Sequence, residues 1–123
     1  MNLKTTFTPA EFEVLARTDL SQTTCVVFDI LRATSSMITA LANGAEQILP
    51  VATIEEALAA KAEHPEALLC GERDGLRITA AQTGGTEFDL GNSPREYTAE
   101  AVAGKTLITT TTNGTRALRA CAN

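Results

Sequence analysis

The sequence is poor in aromatic residues: these make up only 4% of its 123 residues, and tryptophan is absent. The core must therefore consist mostly of Ala, Leu, Ile and Val. The formal net charge of -5 and the lack of a basic stripe oppose binding to a phosphate backbone, so no nucleic-acid partner is expected. No signal segment opens the chain, and no apolar run approaches the roughly 20 residues of a membrane helix. We expect a soluble, cytoplasmic protein with no membrane partner.

Other absences restrict the chemistry. The chain has a single histidine, His64, which argues against a Ser-His-Asp triad or a zinc–histidine site. It has neither a Walker A nor a G-x-G-x-x-G sequence, which argues against the standard nucleotide sites. The three cysteines, Cys25, Cys70 and Cys121, are odd in number and lack C-x-x-C spacing, so we expect reduced, buried thiols.

The remaining sequence alternates between strand and helix patterns. The β-branched and aromatic run at 23–31 predicts a strand covered on both faces. Further strands are predicted at 47–51, 67–71 and 105–110, and capping signals predict helix starts near 8, 36, 53, 93 and 116. Residues 72–92 are rich in Gly and Thr, which is typical of a functional loop.

This alternation predicts one α/β domain over residues 1–123, with three α/β/α layers and a largely parallel or mixed sheet. The chain ends inside the last predicted helix, without a following strand. We therefore expect it to be the N-terminal portion of a longer chain.

Polar residues follow the predicted strands, where ligands bind in parallel α/β sheets. Asp29 interrupts the first predicted strand near its carboxyl end, and a carboxylate there either ligates Mg²⁺ or pairs with Arg32. Arg32 offers a planar fork for phosphate, and the hydroxyls of Thr34 and Ser35 lie at a helix start. Helix capping alone explains those hydroxyls equally well.

A second group of candidates follows the later strands. Glu72 could join Asp29 on a metal or act as a general base, whereas a solvated ion pair in the loop is the alternative. The other candidates are Arg73, which follows the same predicted strand as Glu72, and four polar residues before or within predicted helix starts: Asn92, Thr112, Asn113 and Arg116. An arginine in a first helical turn opposes the helix dipole, so Arg116 calls for a local anion.

Four motifs in order resemble the 2-phosphosulfolactate phosphatase family. They are Val-Val-Phe-Asp-Ile-Leu-Arg-Ala-Thr-Ser at 26–35, Gly-Glu-Arg at 71–73, Phe-Asp-Leu-Gly-Asn-Ser-Pro at 88–94 and Thr-Thr-Thr-Asn-Gly-Thr-Arg-Ala-Leu at 110–118. Four ordered motifs are far more specific than one. The resemblance implies a three-layer α/β/α fold and a Mg²⁺-dependent phosphatase that converts 2-phospho-3-sulfolactate to sulfolactate and phosphate in coenzyme M biosynthesis. It also implies a chain about twice this length.

From the chemistry of the residues, we hypothesise that Asp29 and Glu72 are catalytic and hold Mg²⁺. The hydrogen-bonding and charged groups assigned to a small anionic substrate are Arg32, Thr34, Ser35, Arg73, Asn92, Thr112, Asn113 and Arg116. An aspartyl-phosphate through Asp29 stays open as a mechanism. So does a noncatalytic module that binds a phosphorylated or sulfonated metabolite, and so does assembly into a homo-oligomer.

Overall fold

A computed structural model describes residues 2–122 of the chain. Its sheet is mixed, with four strands in the spatial order β1-β4-β2-β3. The strands are β1 (Gln47–Pro50), β2 (Leu68–Arg73), β3 (Leu76–Arg77) and β4 (Thr106–Thr110). Strand β4 is parallel to both β1 and β2, whereas β3 is antiparallel to β2. The predicted α/β class with a mixed sheet is confirmed.

Helices connect the strands. They are α1 (Pro9–Leu15), α2 (Ala33–Ala42), α3 (Ile54–Glu63), α4 (Ala80–Thr83), the 3-10 turn Pro94–Glu96, α5 (Ala99–Val102) and α6 (Gly114–Ala120). Within residues 2–122, no helix has the length and apolar character needed to cross a membrane.

Local sequence explains the helix boundaries. The N–H of Thr8 donates to Oε2 of Glu11 at 2.8 Å, which closes a capping box at the start of α1. The N–H of Glu56 donates to Oγ1 of Thr53 at 3.1 Å and starts α3. Gly44 has a φ of 93° just after α2, a left-handed conformation that glycine adopts without a steric penalty. The helix starts predicted at 8 and 53 and the helix end predicted at Gly44 are confirmed.

Alternating side chains of the strands divide the core between the two faces of the sheet. On β4, Leu107 packs into a cluster with Ala40 of α2 and Tyr97. The next residue, Ile108, packs into a second cluster with Ala57 of α3. Because neighbouring strand residues point to opposite faces, the sheet has a core and helices on both sides, as the three-layer prediction requires.

The strand predicted at 23–31 is wrong. This segment pairs with none of the described strands, and the sheet order places β1 and β3 at the edges. Val26, Phe28 and Ile30 are exposed by 68%, 80% and 68%. The sequence shows strand-forming propensity, but a strand also needs a neighbour to accept its hydrogen bonds, and residues 2–122 do not supply one.

The Gly- and Thr-rich stretch at 72–92 contains more regular structure than predicted. Asp74 and Gly75 have φ values of 54° and 78° and form a two-residue turn between β2 and β3. A positive φ at both central residues is the geometry for which Asp-Gly is favoured in hairpins.

The helix predicted from Ser93 is only a 3-10 turn, Pro94–Glu96, followed by the four residues of α5.

The thiols also differ from the prediction. Cys70 is buried in β2, but Cys25 and Cys121 are only partly buried. All three are free thiols. Cys25 was expected inside the strand predicted at 23–31, which the structure does not contain.

Candidate functional site

A cleft of about 360 Å³ lies where β2 and β4 end. Segments from four regions of the sequence line it: the loop before α2, the end of β2 with the β2–β3 turn, the loop before the 3-10 turn and the loop before α6. The lining residues are Asp29, Leu31, Arg32, Glu72, Asp74, Gly75, Asn92, Thr112 and Asn113. The position agrees with the rule that ligands bind beyond the carboxyl ends of parallel strands.

Glu72 connects two walls of this cleft. Its Oε1 accepts a hydrogen bond from the N–H of Thr112 at 2.7 Å, and its Oε2 accepts from the Thr112 hydroxyl at 3.1 Å. Oε2 also accepts from the N–H of Gly75 at 2.9 Å. The carboxylate therefore fixes the loop after β4 to the turn after β2.

These contacts also set the charge state of Glu72. Burial raises the pKa of this carboxyl, but the donors of Thr112 and Gly75 and the nearby charge of Arg73 lower it by more. The pKa consequently lies below its ordinary value of 4.5, and Glu72 is a carboxylate at neutral pH. Most of its capacity to accept hydrogen bonds is already used inside the protein.

The loop before α2 carries Asp29 and Arg32. The N–H of Thr34 donates to the Asp29 carbonyl at 3.0 Å, while the N–H of Asp29 donates to Oγ1 of Thr34 at 2.9 Å. The Ser35 hydroxyl donates to the carbonyl of Ile30 at 2.6 Å. Neither hydroxyl is part of the cleft lining. They stabilise the loop that presents Asp29 and Arg32, which favours a structural role over substrate contact.

The side chain of Asp29 differs from that of Glu72. Within residues 2–122 its carboxylate makes no hydrogen bond or ion pair, although the residue is half-buried. Gly114 makes room for it, since a Cβ atom on that glycine would lie 2.7 Å from Oδ2 of Asp29. The oxygens of Asp29 are thus free to bind a ligand from the cleft.

Positive charge in the cleft comes from one side chain. Arg32 donates through Nη2 to the carbonyl of Gly75 at 3.1 Å, and among the described residues 2–122 it is the only Lys or Arg that lines the cleft. The guanidinium has five donors, so most of them are free for an anion. Three carboxylates, those of Asp29, Glu72 and Asp74, share the same cleft.

Two predicted arginines lie elsewhere. Arg73 follows Glu72 on β2, and strand alternation directs its side chain to the opposite face. It donates to the Glu72 carbonyl at 2.7 Å and to the Thr110 hydroxyl at 3.0 Å. Arg116 is exposed on α6. Neither residue lines the cleft.

Asn92 is as enclosed as Glu72, since each has 7% exposure. Its carbonyl accepts from the Ser36 hydroxyl at 2.9 Å, which ties the loop to α2. The side-chain Oδ1 is buried and has no hydrogen-bond partner within the described part of the chain. An unused buried acceptor costs about 1–3 kcal/mol, a cost more typical of functional sites than of ordinary loops.

Sequence reasoning missed Asp74, Gly75 and Leu31, which also line the cleft. The Asp-Gly pair between Arg73 and Leu76 was the available signal for the turn, because this dipeptide is typical of two-residue hairpins. Nothing in the local pattern indicates that Asp74 and Asp29, distant in sequence, border the same cavity.

The carboxylates do not form a metal site by themselves. Across residues 2–122, no group of three His, Cys, Asp or Glu side chains is arranged to hold a metal ion. Mg²⁺ usually keeps several waters and binds through one or two carboxylates together with substrate oxygens. The free carboxylate of Asp29 fits that mode of binding, whereas Glu72 is largely occupied by Thr112 and Gly75.

Comparison with known proteins gives a consistent result. The family model described as 2-phosphosulpholactate phosphatase matches residues 10–123. A protein of Clostridium acetobutylicum named probable 2-phosphosulfolactate phosphatase is 54% identical over 97 residues, which are 78% of this chain and 38% of that relative. A protein of Thermotoga maritima with the same name is 53% identical over 95 residues, which are 77% of this chain and 38% of the relative. The chain thus spans well under half the length of these relatives.

Proposed function

The chain belongs to the 2-phosphosulfolactate phosphatase family, and on that premise we propose that its cleft binds a small phosphorylated acid and takes part in hydrolysing its phosphate ester with Mg²⁺. This proposal rests on two side chains that line the same cavity. The carboxylate of Asp29 has no hydrogen-bond partner within residues 2–122, and most N–H donors of the Arg32 guanidinium are free. Phosphate transfer needs both charge neutralisation and alignment of the attacking water.

In this proposal Asp29 holds Mg²⁺, and Glu72 orders the walls around it. The ion would neutralise charge on the phosphoryl oxygens and favour attack by water. Glu72 keeps Thr112 and Asn113 beside the cleft through its three hydrogen bonds with Thr112 and Gly75. Its remaining lone pair could still contribute to the metal shell, but its first effect is to fix the geometry.

The substrate contacts then come from the cleft residues. Arg32 binds the phosphate or the sulfonate, because its planar fork matches their oxygens. Thr112 and Asn113 are exposed at the cleft and supply hydrogen bonds, as does Asn92 from the opposite loop. We do not assign substrate contacts to Arg73 and Arg116, since neither lines the cavity.

The specific substrate is proposed from the names of the relatives. We propose 2-phospho-3-sulfolactate, whose phosphate, sulfonate and carboxylate are all anionic, with sulfolactate and phosphate as products. Water adds to phosphorus, the ester P–O bond breaks, and the released alkoxide takes up a proton. We further propose that this reaction is a step of coenzyme M biosynthesis and that it takes place in the cytoplasm.

Phosphate release from 2-phospho-3-sulfolactate tests the proposal, measured with Mg²⁺ and with a chelator. Asp29→Asn should remove metal-dependent turnover, because the amide is a much weaker ligand for Mg²⁺. Asp19→Asn is the matched control, since Asp19 is exposed, lies outside the cleft lining and accepts a hydrogen bond from the N–H of Ser21 at 2.9 Å. Turnover of Asp29→Asn equal to that of the control would contradict the role of Asp29.

Two further outcomes separate the alternatives. Trapping of a phosphorylated Asp29 with hydroxylamine would replace direct attack of water with a covalent route. Tight binding of the substrate with no phosphate release, with or without Mg²⁺, would instead identify a noncatalytic binding module.

A further inference from the structure

Residues 24–30 have the side-chain pattern of a β-strand without being part of the sheet. The partly buried residues alternate with exposed ones: Cys25, Val27 and Asp29 face the domain, whereas Val26 and Phe28 face solvent. A period of two is the signature of an extended strand with one face covered. The segment is therefore arranged like a strand that rests on the domain with one face only.

The backbone of this segment is unpaired. Within residues 2–122, no hydrogen bond involves the N–H or carbonyl groups of residues 24–28. The nearest bonds lie at its ends, from the N–H of Thr23 to the Leu20 carbonyl and from the N–H of Thr34 to the Asp29 carbonyl. A row of free donors and acceptors along an extended segment is a template for a further strand.

The outward row is apolar as well as unpaired. Phe28 is exposed by 80%, and Leu31 at the end of the segment is exposed by 88%. Val26, Phe28 and Ile30 form the outward row, and Leu31 next to Ile30 extends the apolar surface. Contiguous apolar side chains of this size on a surface mark an interaction site, and β-branched and aromatic residues favour pairing in a sheet.

We propose that residues 24–31 form a β-strand by pairing with an extended, apolar segment from the part of the family's polypeptide that residues 1–123 do not span. The length of the relatives argues for this occupant. The chain is matched over 78% of its length by the Clostridium relative but covers only 38% of it, so family members contain more polypeptide that must pack somewhere. The pairing would supply hydrogen bonds to residues 24–28 and cover Phe28.

This inference is independent of the proposed activity, but it affects the same site. Asp29 lies in the segment and lines the cleft. Pairing of the residues before it would limit the motion of its backbone. The occupant would thereby hold one wall of the cleft in place.

Coexpression tests the proposal. The tagged 123-residue chain is produced together with the part of the Thermotoga maritima relative that lies outside the matched region. We expect the two polypeptides to copurify, and hydrogen exchange at the amides of residues 24–28 to slow by at least tenfold relative to the chain alone. Failure to copurify, or unchanged exchange at these amides in the complex, would overturn the proposal.

Variants locate the contact. Phe28→Lys should reduce complex formation at least tenfold, because it puts a charge into an apolar strand face. Leu76→Lys is the matched control, since Leu76 is similarly exposed, by 73%, on the edge strand β3, and should bind as the unmodified chain does. Val26→Pro removes one backbone donor without adding charge and should also weaken binding.

A second copy of the chain is the competing occupant. Sedimentation of the chain alone across a range of concentrations measures self-association. A dimer that slows exchange at residues 24–28 and is broken by Phe28→Lys would overturn the proposal in favour of a homodimer. Equal complex formation by Phe28→Lys and Leu76→Lys would exclude the exposed face around Phe28 as the contact surface. Circular dichroism checks that each variant is folded.

Discussion

Glu72 accepts hydrogen bonds from both the backbone N–H and the hydroxyl of Thr112, at 2.7 and 3.1 Å. Glu72 lies near the end of β2 and Thr112 follows β4, so the contact joins the carboxyl ends of these two strands. Since the third donor is Gly75 of the β2–β3 turn, one carboxylate joins that turn to the loop after β4. This relationship supports the proposed positioning role of Glu72, while the role of metal ligand or general base that the sequence indicates stays a prediction.

Glu72→Gln should destabilise the protein by about 2 kcal/mol at neutral pH, because the amide NH₂ group would face donors that now contact a carboxylate. The effect depends on pH. The folded-state pKa of Glu72 lies below its ordinary value of 4.5, so the carboxylate stabilises the fold above that value and loses its contribution as pH falls through the lower folded pKa.

Urea unfolding across the acidic range measures this difference. The gap in unfolding free energy between the unmodified chain and Glu72→Gln should shrink as pH falls below 4.5. Glu46→Gln, at an exposed residue, is the control and should show a much smaller gap. A gap for Glu72→Gln that does not change with pH would contradict the charged state proposed for Glu72.

Gly114→Ala should disturb the cleft. The added Cβ would lie 2.5 Å from the Cβ of Ala33 and 2.7 Å from Oδ2 of Asp29, and such overpacking typically costs about 1–3 kcal/mol. Because Asp29 must move, Mg²⁺ binding measured by calorimetry should weaken together with the melting temperature.

Gly104→Ala separates the two effects. Gly104 has a φ of 68°, and a Cβ there would meet no atom within 4 Å. Alanine at that φ is strained, so stability should fall by about 1 kcal/mol, yet Mg²⁺ binding should not change. If both variants weaken Mg²⁺ binding alike, the contact between Gly114 and Asp29 is not what shapes the site.

Arg32→Lys should weaken binding of 2-phospho-3-sulfolactate by roughly tenfold or more, since lysine cannot make the bidentate contact of a guanidinium. Arg116→Lys is the informative control. The sequence hypothesis assigned both arginines to the anion, whereas the structure places only Arg32 in the cleft. Titration calorimetry should therefore show a loss of affinity for Arg32→Lys alone. Comparable losses of affinity for both variants would indicate that Arg116 also binds the substrate.

The three thiols should react with iodoacetamide at different rates. Burial raises the pKa of the Cys70 thiol to about 12, so it should be labelled only after denaturant is added. Burial and the adjacent thiol of Cys25 raise the pKa of Cys121 to about 11. Cys25→Ala should thus speed labelling of Cys121, as followed by mass spectrometry of the peptides. Rapid labelling of Cys70 in the native protein would contradict its burial in β2.

Local patterns predicted much of the fold. The capping residues Thr8 and Thr53 and the left-handed Gly44 define helix ends because their effects act within one turn of the chain. The strands at 47–51, 67–71 and 105–110 were predicted within two residues of their ends. The hairpin at Asp74 and Gly75 was missed although its dipeptide signal was present.

Site residues were harder to predict because several patterns fit two explanations. The hydroxyls of Thr34 and Ser35 at a helix start are equally suited to an anion and to their own backbone, and the structure shows backbone contacts. Arg73 follows a cleft residue in sequence, yet strand alternation turns it to the other face. Adjacent positions in a strand cannot be assigned to a site without knowing which face the site occupies.

By itself, the sequence determined the α/β class, the family and the local ends of most elements, since these depend on the spacing of apolar, capping and turn residues along the chain. Only the tertiary structure decided that Asp29, Arg32 and Asp74 share a cleft with Glu72, and that residues 24–28 have no hydrogen-bonding neighbour among residues 2–122. The reason is physical: a strand and a binding site both require partners distant in sequence, and no local pattern specifies where those partners lie.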